Sequence, residues 1–241
     1  MMDYNTEIKK YLDGEIQNRG DNTHRYASFD FCFAYFHKNR ENLKENMQLS
    51  CLQLWSYLAS WGMLCGSSEL LQKSVACLKP LIGHIADCDK RIWNIDVDNY
   101  TQDNIKLLCE EYKKIEEVLT KILNKDKKEK EVLITDILNN NEKKKEEVRP
   151  SVTLITKIML GVYGNVPAFD TYFTKTFRNL FDNCGFRTVN EQSLKCIYKF
   201  WTNNKKSLEE KISVIDFDSK ATDLYYTKAK LIDMYGFTEG L

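Results

Sequence analysis

Proline is scarce in this chain, with three in 241 residues, and glycine is held to ten. Few residues therefore break a helix, and long uninterrupted helices are expected. No apolar run approaches the length needed to span a bilayer, and the N-terminal "MMDYNTEIKKYLDGE" is too polar for a secretory leader. A cytoplasmic chain with no membrane partner is the expectation. Net charge is also lacking, since 35 Lys and Arg balance 35 Asp and Glu. Blanket electrostatic affinity for nucleic acid is thereby excluded, so any such surface must be a local patch.

Motifs are missing too. The eight cysteines, Cys32, Cys51, Cys65, Cys77, Cys88, Cys109, Cys184 and Cys196, form no CxxC pair. They are read as buried free thiols, and no metal site is expected. His37 in "AYFHKNR" and His84 in "LIGHIADCD" have no ligand-spaced partner and read as helix-end or core histidines. The absence of GxxxxGK[ST], a strand-borne GxGxxG and GxSxG argues against phosphate-loop, dinucleotide and nucleophile-elbow chemistry. Ser67 and Ser68 in "GSSELL" then read as a helix cap, and no cofactor is implied.

What the chain does contain is helical periodicity. Ile105, Leu108, Tyr112, Ile115, Leu119 and Ile122 recur at three and four, with Glu and Lys opposite, which predicts an amphipathic helix. "CLQLWSYLASWGMLCG" is apolar nearly all round and predicts a helix enclosed by others. Only "ISVIDF", Ile212 to Phe217, reads as a short strand. The class is all-α, arranged as an N-terminal bundle over 1–125, a charged connector or exposed helix over 126–148, and a C-terminal helical part over 149–241. The last two parts could also belong to one integrated domain with the first.

The stretch "LGVYGNVPAFDTYF", Leu160 to Phe173, interrupts this pattern. Ser151 or Thr153 can cap a helix with Leu154, Ile155, Ile158, Met159 and Val162 on its apolar face. Gly164–Asn165 suits a left-handed stop, and Pro167 redirects the chain. Phe173, Phe177 and Leu180 form the expected buried stripe of the next helix, with Asp170 at its N-terminal end. A carboxylate there gains from the helix dipole. Asp170 is at once a helix-cap candidate and a catalyst candidate, and one position can serve both.

This segment resembles the core of the helix-hairpin-helix DNA glycosylase superfamily over about residues 150–200. In that family a proline-led hairpin is followed by a helix, a glycine-containing turn and an aspartate in a "VDTHV"-like sequence. Here "FDTYF" occupies that slot, with Gly164 and Pro167 ahead of it and Arg178 after it. "RPSVTLITK" stands where the family's glycine-rich "LPGVG" turn would be, and Lys157 lies outside the position of the Schiff-base lysine used by some members. The resemblance implies a two-lobed helical fold and monofunctional hydrolysis of the N-glycosidic bond of a damaged or modified base in DNA, in repair or in defence against foreign DNA. Asp170 would stabilise the oxocarbenium-like sugar and orient water. Thr153, Lys157, Lys175 and Arg178 would contact phosphates. Tyr163, Phe169, Tyr172 and Trp61 would line a base pocket.

Between Thr171 and Lys211, eight basic residues face four acidic ones. Phe177, Phe186, Tyr198, Phe200 and Trp201 interleave with the cations, as a stacking, phosphate-gripping face requires. Two other readings stay open. Arg19 and His24 in "NRGDNTH" match the RxxxxH pattern and resemble the short motif of HEPN ribonucleases. The helical stripes and aromatics would equally suit a non-enzymatic protein-interaction module that docks a protein partner.

Overall fold

In a computed structural model of the chain, residues 22–66, 68–135, 147–182, 184–208 and 211–241 are described, with backbone alone given for 126–135 and 207. Among them are eight α-helices and one two-stranded sheet, so the class is all-α. Helix α1 spans Ala27–Asn39 and α2 Met47–Ser60. Short 3-10 turns lead to α3, Lys79–Ala86, and two more precede the long α4, Gln102–Thr135. Then come α5, Val152–Tyr163; α6, Thr171–Leu180; and α7, Glu191–Asn204. Strands β1, Ser213–Ile215, and β2, Ala221–Tyr225, lead into α8, Lys228–Gly240.

The stripe expected on α4 is buried at all six positions from Ile105 to Ile122. Helix α4 runs on through residue 125, where the sequence placed the end of the N-terminal bundle. Asn124 joins the two ends of the connector: its Nδ2 donates to the Val148 carbonyl at 2.8 Å, and its Oδ1 accepts the Val148 N–H at 3.0 Å. One continuous apolar cluster draws on helices from both sides of that connector.

Burial on all sides belongs to α5 and not to α2. Every residue from Leu154 to Tyr163 is buried, because α5 packs against α1, α2 and α4. On α2, Leu49 and Leu52 stay exposed. The α5 cap is Ser151, whose Oγ accepts the Leu154 N–H at 3.1 Å. The helix stops at Gly164, whose φ of +69° is open to glycine without strain.

Helix α6 lies closely along α8. A Cβ on Gly236 would come within 2.6 Å of Phe173, so glycine sets the separation of the two helices. Phe173 and Phe177 form the buried stripe as expected. Leu180, expected in the same stripe, is exposed, because it is the last residue of the helix.

The strand expected near Ile212 pairs antiparallel with β2, whose sequence "ATDLY" gave no clear signal. Buried Asp30 on α1 anchors this hairpin by accepting from the Ile215 N–H at 2.9 Å and the Tyr226 hydroxyl at 2.7 Å. Of the cysteines, Cys32, Cys51, Cys184 and Cys196 are buried. Cys77, Cys88 and Cys109 are half-buried and Cys65 is exposed, since it follows the end of α2 in an open turn. All eight are free thiols.

Candidate functional site

The backbone of the elbow between α5 and α6 is held by hydrogen bonds to side chains outside it. From Gly164 to Phe169 every residue is buried, so each polar group needs a partner. The Tyr100 hydroxyl donates to the Asn165 carbonyl at 2.5 Å. The Ala168 N–H goes to Asp233 Oδ1 at 3.0 Å, and the Phe169 N–H to Thr156 Oγ1 at 2.9 Å. Thr153 Oγ1 donates to the Phe169 carbonyl at 3.0 Å. The backbone leading to Asp170 is thereby fixed from three directions.

Asp170 is the N-cap of α6. Its Oδ1 accepts the Phe173 N–H at 3.0 Å, and its Oδ2 accepts from Lys157 Nζ at 3.1 Å. The Asp170 side chain keeps 14% of its surface and that of Lys157 only 4%. The carboxylate is thus neither sealed in the interior nor out on a flat surface, and a cation lies against it.

Trp61, just past the end of α2, sits over this pair. The Lys157 ammonium is 4.4 Å from its ring centroid, Lys230 is 5.8 Å away and the Arg25 guanidinium 5.5 Å. Tyr26 and Phe237 meet the indole edge-on at 5.3 and 6.0 Å, and Tyr172 meets Phe237 at 5.0 Å. The Trp61 Nε1 is buried with no hydrogen-bond partner. Behind Trp61 a second buried pair joins Lys230 Nζ to Asp233 Oδ2 at 3.2 Å, with Lys230 also over the Phe29 ring at 4.7 Å. Arg25 and Tyr172 are exposed, Trp61 half-buried.

The structure therefore brings together Asp170, Lys157, Trp61 and Tyr172, and adds Arg25, Tyr26, Lys230, Asp233 and Phe237. The added residues gave little warning. The one signal was Lys230 and Asp233 at i, i+3 within the otherwise apolar "KLIDMYGF" of α8, a pairing that only burial makes informative.

Other expected site residues lie elsewhere. Tyr163 is enclosed, with its hydroxyl donating to Glu111 Oε1 at 2.9 Å; Phe169 is enclosed between Phe173 and Phe186. Neither ring reaches solvent, because the elbow they occupy is core. Lys157 is not a surface phosphate contact, since α5 is buried on all sides and its ammonium faces Asp170 and Trp61. The Thr153 hydroxyl is engaged with the Phe169 carbonyl.

Lys175 and Arg178 remain exposed on α6. Lys175 Nζ donates to the Gly240 carbonyl at 2.9 Å and Arg178 Nε to the Gly185 carbonyl at 2.8 Å. Of the aromatics interleaved with the basic residues, only Tyr198 is on the surface. Phe177, Phe200 and Trp201 are buried because helical spacing turns them into the core, and Phe186, in the segment between α6 and α7, is buried against Phe169, Phe173 and Phe177.

Two surface depressions, of about 470 and 850 Å³, lie along α7 and between the turns before α3 and α4; Asp170 lines neither. Among the described residues no cluster of histidine, cysteine and acidic side chains is arranged to hold a metal ion. No described helix is long and apolar enough to cross a membrane. His24 stacks on Tyr26 with ring centroids 4.7 Å apart, while Arg19 lies outside the described residues.

A separate buried polar group sits beneath α5. Glu111 Oε1 accepts from Tyr163 and lies 2.9 Å from His84 Nε2. His37, near the end of α1, is packed against Phe33 and Trp93, and burial pushes its imidazole down to about 4. Both histidines are half-buried near helix ends.

Comparison of the chain with protein-family models, with curated proteins and with solved structures gave no match.

Proposed function

We propose that the chain removes a base from DNA by hydrolysing its N-glycosidic bond, with Asp170 at the reacting centre. One observation carries this reading: a partly exposed carboxylate is fixed at a helix N-terminus, 3.1 Å from a buried ammonium, beneath an aromatic surface. When the base departs, positive charge develops on the sugar. A rigid, partly desolvated carboxylate stabilises that charge and orients the attacking water without having to reorganise. Asp170 is immobilised by both oxygens, so its position is preset.

Trp61 and Tyr172 supply apolar surface for an extruded base. Lys175 and Arg178, exposed on the helix that Asp170 caps, supply cations for the flanking phosphates. Lys157 holds the second carboxylate oxygen and tempers its charge. The resemblance of "FDTYF" to the aspartate motif of helix-hairpin-helix glycosylases supports the same reaction class.

The test is release of base from duplexes carrying modified bases, read as alkali-labile abasic sites. Asn at position 170 keeps a capping oxygen but loses the charge. Asp170→Asn is expected to bind the DNA and release no base; full activity in that variant would overturn the assignment. Borohydride added during turnover separates the two nucleophiles. Water leaves no adduct, whereas a protein–DNA adduct that disappears in Lys157→Met would transfer the attack to the lysine amine.

A further inference from the structure

We infer that Cys184 and Cys196 form a redox site, at which a low-molecular-weight disulfide such as oxidised glutathione reacts with Cys196 and leaves the two cysteines joined to each other. The inference stands apart from the base-excision reading. Cys184 lies in the segment between α6 and α7, and Cys196 is on α7, twelve residues later. Both are free, and the two residues keep only 5% and 8% of their surface. A turn sets Cys184 against the end of α6, with its N–H donating to the Phe181 carbonyl at 3.0 Å. Phe181 and Cys196 line the same surface depression of about 470 Å³. The Cys184 and Cys196 thiols are thereby brought side by side, close enough for a direct side-chain interaction. Closing a bond between them calls for little backbone movement.

The depression decides which sulfur reacts first, because Cys196 lines it and Cys184 does not. The Cys196 thiolate attacks one sulfur of the small disulfide, forming a mixed disulfide and expelling one thiolate. The Cys184 thiolate then attacks the Cys196 sulfur and expels the second. The two cysteine protons pass to the two departing thiolates, and two electrons from the pair reduce one small disulfide to two thiols. Since Cys184 is already alongside, the second step is intramolecular and the mixed disulfide does not accumulate. Burial, with Cys184 beside it, pushes the Cys196 thiol up to about 11, and Lys199 nearby offsets only part of that. Thiolate is therefore scarce near neutral pH, so the exchange is slow there and quickens as pH rises.

The test incubates the full chain with oxidised glutathione under mildly alkaline conditions, blocks the remaining thiols by alkylation without reduction, and digests with trypsin. Cleavage after Arg178, Arg187, Lys195 and Lys199 puts the two cysteines in separate peptides, 179–187 and 196–199. Mass spectrometry should find these two peptides joined, and dithiothreitol should separate them. In Cys184→Ser, or in Cys184→Ala if the serine variant does not fold, the reaction should stop at a glutathione adduct on Cys196. Wild-type protein in which both peptides are recovered separately and alkylated would overturn the inference. So would a lasting glutathione adduct on wild-type Cys196, or bonding only between chains through the exposed Cys65.

Discussion

The Asp233 carboxylate on α8 accepts the backbone N–H of Ala168 at 3.0 Å, two residues before Asp170. Its other oxygen holds Lys230, so one side chain fixes the elbow and neutralises a buried cation at the same time. The last helix of the chain thereby controls the position of a residue more than sixty positions earlier.

Replacing Asp233 by Ala should therefore be severe. It leaves the Ala168 N–H without its acceptor and takes from the buried Lys230 ammonium the carboxylate held 3.2 Å away, a loss on the order of 3–5 kcal/mol. Urea unfolding would measure it. The double variant Asp233→Ala with Lys230→Met should recover a large part of that loss, because it also removes the buried cation that Asp233 accompanies. If the double variant is no more stable than the single, the ion pair is not what Asp233 compensates.

The capping and charge roles of Asp170 separate in stability measurements. Both Asp170→Asn and Asp170→Ala lose the ion pair with Lys157, but only Ala also loses the acceptor for the Phe173 N–H. The Ala variant is expected to be less stable than Asn by about 1 kcal/mol. Thermal or urea unfolding of the pair checks this, and equal stabilities would mean the cap contributes nothing.

His37 gives the fold a dependence on acid. Burial lowers its folded value from 6.5 to about 4, so the native state holds the neutral ring while the unfolded chain protonates first. Its contribution is fully present above about pH 6.5 and is lost as pH falls toward about 4, by on the order of 3 kcal/mol. His37→Gln, which cannot titrate but retains a donor, should flatten the stability curve across that window. A wild-type curve just as flat would show that the ring is not held neutral.

Much of the fold was written locally. The stripe on α4, the serine cap at Ser151, the left-handed stop at Gly164 and the cap at Asp170 follow from residue type and spacing, because helix periodicity and end chemistry act over three or four neighbours. Whether an aromatic at helical spacing faces the core or a rim depends on what packs opposite. Tyr163 and Phe169 were therefore placed at a rim that the structure puts in the interior, while Tyr172 reached the surface.

Sequence alone determined an all-α chain with a capping aspartate after a proline elbow, because those features need only near neighbours. Tertiary structure alone decided that Lys157 turns inward to Asp170, and that Arg25, Trp61 and Lys230, from three distant segments, meet over it. The physical reason is the cost of burying charge: a lysine in an apolar helix has no stable place until the fold supplies its carboxylate and its aromatic face.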